Sequence, residues 1–277
     1  MPENTKLSVV VIAKNEAARI ERCLKSVAWA DEIIVVDGQS TDGTQEICRR
    51  LKAQVIEHPF EGSFAQERNI GMEKSRGEWV LQIDADDIVT TGFREAFERM
   101  SAQPTSHAAF KFRRKSFLMG RFMRYGGWHH YLPNLVRRDA ARYVGCVHER
   151  PVVNGSIGIL DADIEHHPCE DLGNFLSRHN RYTSLQAAEL FAENPNRSAR
   201  QCKALMLHRP WKTFWKGFVK KQGFREGAHG FIFAAIYSFI ELLKWAKYWE
   251  LVETRQSTGS RQQAVDSIEQ VAASTIS

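Results

Sequence analysis

Leu7–Ala13 is an unbroken apolar, β-branched run, the pattern of a strand buried on both faces. Polar residues follow at once. Asn15 is placed to cap a helix, and Ile20, Leu24, Val27 and Ala28 recur at helical spacing. Glu32–Asp37 predicts a second buried strand that runs into the turn-rich loop Gly38–Gly43. There Thr41 or Asp42 can cap a second helix with Ile47 and Leu51 on its inner face. Gln54–Glu57 predicts a short third strand, Ala65–Lys74 a third helix and Trp79–Ile83 a fourth strand. Strands alternating with helices predict βαβ units, hence an α/β fold with a mainly parallel sheet and flanking helices.

Ligands of such sheets bind beyond the carboxyl ends of the strands. The residues at those ends are Lys14, Asn15 and Glu16 after the first strand, Asp37 after the second, and Asp84, Asp86 and Asp87 after the fourth. In extended chain Asp84 and Asp86 point to one side, while Asp87 is expected to point elsewhere. Two carboxylates on one face repel unless a proton or cation lies between them. Hard oxygen ligands in this number suit Mg²⁺ or Mn²⁺ shared with substrate phosphates. A solvated turn with a capping Asp would be the bland reading of an isolated D-x-D; its place beyond a buried strand, alongside Asp37, favours a site. Asp161-Ala-Asp163 has the same spelling but lies in an alternating, half-exposed strand pattern, and is read as structural. Neither G-x-G-x-x-G after the first strand nor G-x-x-x-x-G-K-[ST] occurs. Phosphates would therefore be neutralised by metal and basic side chains. His129-His130 and His166-His167 are adjacent pairs whose members diverge on a strand, so neither pair makes a bidentate metal site.

The chain has 277 residues, 43% of them apolar and 26% charged, enough for a sizeable core. Five scattered cysteines without a C-x-x-C pair argue against a disulfide framework and point to a reducing compartment. No secretory leader is read, and the longest apolar stretch, Phe231–Ile240, is too short to cross a bilayer. Net charge is −5 over residues 1–104 and +10 over 105–277, a division that suggests two jobs.

Val9–Glu16, Ile33–Thr44, Arg68-Asn-Ile-Gly71 and Leu81–Asp87 resemble, in order and spacing, glycosyltransferase family 2. The resemblance implies a GT-A fold, a nucleotide-sugar donor and inversion at the anomeric carbon. By position it implies that Ala13, Asn15 and Glu16 line the nucleotide pocket, that Asp37 contacts the base, that Arg68 also binds substrate, and that Asp84 and Asp86 hold ribose and metal. Leu135–Arg138, Gly145–Glu149 and Asn180–Tyr182 further resemble bacterial glucosyltransferases that extend the lipopolysaccharide core, which implies a UDP-linked glucose donor and a lipid-linked acceptor. Inverting transfer needs a base for the acceptor hydroxyl. Glu149, from the His-Glu pair of that branch, is assigned to it, with an ion pair to Arg150 or Arg138 as the structural alternative. His148 is placed to orient the site or bind phosphate. Trp128 or Tyr131 could stack on a sugar ring, or pack in a core.

Residues 1–104 are thus expected to form the nucleotide-sugar half of the catalytic domain and 105–170 its acceptor-side half. Residues 171–253 are expected to be helical, basic and membrane-proximal, and 254–277 a disordered tail. Lys111, Arg113, Arg114, Lys115, Arg121 and Arg124 form one basic cluster among phenylalanines. Arg197–Arg225 holds nine Lys and Arg and no acid, with Trp and Phe between. Such composition suits an anionic membrane surface at the inner face of the cytoplasmic membrane; nucleic acid is not expected as a partner, since no recognised module for it is present. A nucleotidyltransferase on a similar sheet, or a non-catalytic membrane or nucleic-acid binding protein, are the alternatives.

Overall fold

The computed structural model describes residues 5–145 and 149–258. The chain divides into two compact units, one of residues 1–116 and 130–168, the other of 117–129 and 169–277.

In the first unit the βαβ reading of the sequence holds. β1 (Leu7–Ala13), α1 (Ala17–Ser26), β2 (Glu32–Asp37), α2 (Thr44–Arg50), β3 (Gln54–Glu57), α3 (Phe64–Lys74) and β4 (Trp79–Asp84) follow in turn. β1 lies between β2 and β4, parallel to both, and β3 extends β2 in parallel. Val9, Val10, Val11, Val35, Val36, Val80 and Leu81 are fully buried. Helices covering both faces of a parallel sheet account for these continuous β-branched runs. α3 lies close on β1: a Cβ on Gly71 would come within 2.2 Å of Val10 Cγ1.

After β4 the topology changes. β5 (Asp87–Val89), α4 (Thr91–Ser101), β6 (Ala109–Leu118), β7 (Arg121–Phe122), β8 (His130–Arg137), β9 (Ala141–Val144), β10 (Arg150–Val153) and β11 (Ile157–Cys169) complete the strands. The sheet order is β3-β2-β1-β4-β8-β6-β11-β5, with β8 antiparallel to β4 and to β6, and β5 antiparallel to β11. β9 and β10 form a separate two-stranded ladder. The fold is therefore α/β with a GT-A-like sheet, parallel through β4 and antiparallel beyond it.

Two caps differ from expectation. Asn15 does not cap α1; it adopts a left-handed φ of 54°, and Asp42 Oδ2 accepts from Ala17 N instead. Gly43 occupies the N-cap of α2, while Asp42 Oδ1 accepts from Thr44 N. One aspartate thus serves both helix starts.

The second unit is mainly helical: α5 (Leu172–Glu193), α6 (Ala199–Trp215), a π-helical turn at Lys216–Lys220, a 3-10 turn at Gly223–Glu226, and α7 (Ala228–Thr258). Ser198 and Gln201 form a capping box on α6. One core gathers Ala187, Phe191, Cys202, Trp245, Tyr248 and Val252; another gathers Leu118, Met123, Cys169, Phe175 and Phe233. α7 continues to Thr258, past the expected start of the tail at Thr254; residues 259–277 lie outside the described ones. Among the described residues no helix is long and apolar enough to cross a membrane.

Candidate active site

The first two strand ends are stitched together by their loops. Ala13 pairs with Asp37 in the β1–β2 register, and Ile12 with Asp84 in the β1–β4 register. With strands ~4.8 Å apart, Asp37 and Asp84 are separated by two strand spacings, about 10 Å. That span suits one extended nucleoside diphosphate. Asn15 N donates to Ser40 Oγ, Asn15 Oδ1 accepts from Thr41 N, and Glu16 N donates to Thr44 Oγ1. Asp37 is fully buried, and its carboxylate accepts from Ser40 N, Ser40 Oγ and Gln45 Nε2. It organises the loop Gly38–Gly43. Glu16 forms an ion pair with Arg19 at 3.0 Å.

The strand reading of Asp84–Asp87 needs correction. β4 ends at Asp84, a turn follows, and the Asp87 carboxylate folds back to accept from Asp84 N at 2.9 Å. All three aspartates consequently belong to one cluster. Half-buried Arg114 of β6 donates to Asp84 Oδ2 at 2.5 Å and to Asp87 Oδ1 at 2.8 Å, and lies 3.9 Å from Asp86. Arg68 of α3 is buried. Its Nη2 donates to Asp84 Oδ1 at 2.5 Å and its Nε to Glu149 Oε1 at 2.8 Å. Burial would raise the Asp84 carboxyl, but Arg68 and Arg114 overcome it and hold the group well below the usual carboxylate range.

His166, considered from sequence only as half of an adjacent pair, joins the cluster alone. It stands on β11, where it pairs with Asp87 of β5 in register. Its Nδ1 lies 3.2 Å from Asp86 and 3.0 Å from Asp87. His167, its neighbour, turns away to Glu165. The two histidines do diverge, yet one of them joins the carboxylates. Burial and Arg114 lower the His166 imidazole, while Asp86 and Asp87 more than compensate and raise it above its ordinary value.

Asp84, Asp86 and His166 each bring one ligand atom within 4.8 Å of the others. Both oxygens of Asp84 are engaged by guanidinium groups. Asp86 and His166 are thus the side chains best suited to hold a divalent ion directly. An N,O pair leaves several positions of an octahedral shell for water and phosphate oxygens. The donor set fits Mn²⁺ or Mg²⁺.

Further assignments are redistributed. Arg113 pairs with Asp161 and Asp163, and Lys115 with Asp163. Arg113, Arg114 and Lys115 of the basic cluster are thus paired with acids of the sheet and the site. Trp128 packs in the second unit against Phe233 and Phe175, and its Nε1 donates to Tyr237 Oη at 3.1 Å. Tyr131 is exposed, with the Lys111 ammonium 5.5 Å from its ring centroid. Glu149 pairs with Arg68, not with Arg150 or Arg138 as the structural alternative had it. His148 lies outside the described residues.

The α/β domain thus gathers acids, arginines and a histidine beyond the ends of its parallel strands, in an arrangement that could hold a divalent ion. The chain belongs to Glycosyl transferase family 2, which matches residues 8–148. An uncharacterized glycosyltransferase of Rickettsia felis is 28% identical to it, over 94% of this chain and 95% of that protein. The lipopolysaccharide core biosynthesis glycosyltransferase LpsC of Rhizobium meliloti is 26% identical, over 86% and 91%. Among solved structures, S. aureus TarS 1-349 in complex with UDP covers 92% of each chain at 17% identity, with a TM-score of 0.45.

Proposed function

We propose that this glycosyltransferase moves a hexose, with glucose the leading candidate, from a UDP-linked donor to a lipopolysaccharide core or other lipid-linked saccharide, with inversion at the anomeric carbon. The observation that carries the reading is the Arg68 guanidinium, which holds Asp84 of the acidic cluster and Glu149 at once. One rigid group thereby links the acidic cluster to a carboxylate suited to take a proton, which supports a donor site with its base close by. The acceptor class rests on the LpsC relative and on the core-glucosyltransferase resemblance of the second half. UDP and glucose rest on that resemblance alone.

The residues divide the work. Ala13, Asn15 and Glu16 border the nucleotide, with Asp37 fixing the loop that closes over it. Asp86 and His166 would hold the divalent ion, which when bound neutralises charge on the departing diphosphate. Arg114 keeps the three aspartates in place against their mutual repulsion. Glu149 accepts the proton of the acceptor hydroxyl on the face opposite the leaving group, so that one bond forms at the anomeric carbon as the other breaks. The ion pair with Arg68 uses Oε1, and Oε2 is assigned to the hydroxyl. His148 remains the candidate for a phosphate contact. A lipid-linked acceptor would bring the chain to the inner face of the cytoplasmic membrane.

A panel of nucleotide sugars scored by thermal shift, with and without Mn²⁺ or Mg²⁺, tests the donor reading. A metal-dependent rise with UDP-glucose is expected, since a ligand bound only by the folded state raises its midpoint. A rise with every nucleotide sugar except UDP-linked ones, or one indifferent to metal, would overturn it.

A further inference from the structure

The second unit carries a surface that the transfer chemistry does not use. On α6, Leu207, Trp211 and Trp215 recur every four residues, so they share one helix face. They are 80%, 65% and 47% exposed. Single exposed apolar residues need no explanation, but these are joined. Trp211 stacks on Trp215 and Phe214 at 6.5 and 6.4 Å between centroids. Phe214 touches Phe218 at 5.3 Å and Phe231 of α7 at 5.9 Å, and Phe218 touches Phe224. The patch therefore crosses the π-helical turn and passes to α7, where exposed Phe231, Phe239 and Leu242 keep helical spacing.

Charge around the patch is predominantly positive, and Glu241, between Phe239 and Leu242, is paired with Lys244 at 2.7 Å. Residues 197–240 contain a single acid, Glu226. It is buried, accepting from Tyr125 N at 2.9 Å and from Arg121 Nη2. Lys203, Arg209, Lys212, Lys216 and Lys220 all reach solvent. We infer that this face of α6 and α7 docks on the surface of a bilayer containing anionic lipid, with Leu207, Trp211 and Trp215 seated among the acyl chains and the lysines at the headgroups.

Three features favour this occupant. Aliphatic and aromatic side chains mixed on one helix face, with basic residues beside them, are what an interfacial helix requires. No described helix can cross the membrane, so the contact lies in its plane. A second copy of the chain on a two-fold axis would press the basic rim against itself, which like charges oppose. The inference shares the membrane setting of the proposed acceptor but needs no donor, metal or catalysis, so the two fail separately.

The full chain is sedimented with phosphatidylcholine vesicles, with and without phosphatidylglycerol. Pelleting with the anionic vesicles alone is expected, weakened at least about tenfold at 1 M salt, where the screening length is about 3 Å. Trp211→Ser with Trp215→Ser, and separately Lys212→Glu with Lys216→Glu, should each weaken it about tenfold while circular dichroism and the thermal midpoint stay unchanged. Lys25→Glu on α1 should leave it as it was. Brominated lipids should quench tryptophan fluorescence of the unaltered chain, a readout independent of any variant. Absence of pelleting, equal pelleting with both vesicle types, or pelleting indifferent to both pairs of substitutions overturns the inference. So does loss of dimerisation or RNA binding in those variants when the unaltered chain ignores vesicles. A chain that binds UDP-glucose but not vesicles refutes the docking face and leaves the transfer reading standing.

Discussion

His166 Nδ1 lies 3.2 Å from Asp86, although one stands on the last strand of the first unit and the other in the turn after β4. Antiparallel pairing of β11 with β5 makes the contact, placing His166 opposite Asp87. The imidazole and the Asp86 carboxylate together form a mixed nitrogen and oxygen donor pair. Replacing His166 with Ala should weaken Mn²⁺ binding in the presence of UDP by at least about tenfold, the loss seen even when a supporting group of a metal site is removed. Calorimetric titration of Mn²⁺ into the UDP-saturated chain measures it. An unchanged dissociation constant would remove His166 from the metal site.

Glu149 tests the base. Glu149→Gln keeps the size and one acceptor oxygen but cannot take a proton. Transfer should fall by at least about a hundredfold, the lower scale of general-base catalysis, with donor affinity kept within about twofold. Product formation under single-turnover conditions, alongside UDP-glucose binding, separates the two effects. Normal turnover would return Glu149 to its structural role with Arg68.

Much of this architecture is legible in the residues, and the exceptions have physical causes. β1, β2 and β4 stand out because strands covered on both faces must be continuously apolar, and the polar residues ending each run mark the rim. Asp42 took over the capping expected of Asn15 because the two loops after β1 and β2 share one hydrogen-bond system that local spacing does not reveal. Arg114 and His166 were illegible as site residues because antiparallel strands bring them to the acids from distant parts of the chain. An arginine within Lys111–Lys115 reads locally as one member of a basic run, and only the ladder shows that it faces Asp84 and Asp87. Asp161 and Asp163, with the same spelling as the Asp84–Asp86 segment, neutralise Arg113 and Lys115.

Cys48 gives a chemical probe of α2. It is fully buried; burial pushes its thiol up from 9.0 to about 11, and the nearby Asp37 adds to the rise. Alkylating reagents attack the thiolate. Iodoacetamide at pH 8 should leave Cys48 unmodified in the native chain and label it in denaturant, as read by peptide mass spectrometry. The sign for stability follows from the raised value: the contribution is whole below pH 9 and is lost as pH rises towards 11, because the unfolded chain releases the proton first. Labelling of native Cys48 at pH 8 would show that α2 does not seal it.

Gly71 tests how tightly α3 is seated. The Arg68-Asn-Ile-Gly71 segment places Arg68 at the site and, one helical turn later, Gly71 against β1. A methyl group there would sit 2.2 Å from Val10 Cγ1, inside a fully buried strand that cannot yield. Gly71→Ala should therefore destabilise by about 1 to 3 kcal/mol despite the better helix propensity of alanine, with the cost read from a urea midpoint. A neutral or stabilising outcome would mean that α3 shifts freely on the sheet.

Arg68 links that helix to both halves of the proposed chemistry. Methionine there keeps the bulk and removes the charge, leaving Glu149 without its partner while Arg114 still holds Asp84. Loss of one member of a buried pair costs 3–5 kcal/mol as a rule; the surviving Arg114 contact puts Arg68→Met at the lower end, about 3 kcal/mol. If the guanidinium positions Glu149 by direct contact, the double variant with Glu149→Gln should be less destabilised than the two single effects added, by about 0.5 kcal/mol or more. Strict additivity in urea denaturation would mean that the two side chains act independently, and the link from Asp84 through Arg68 to the base would be lost.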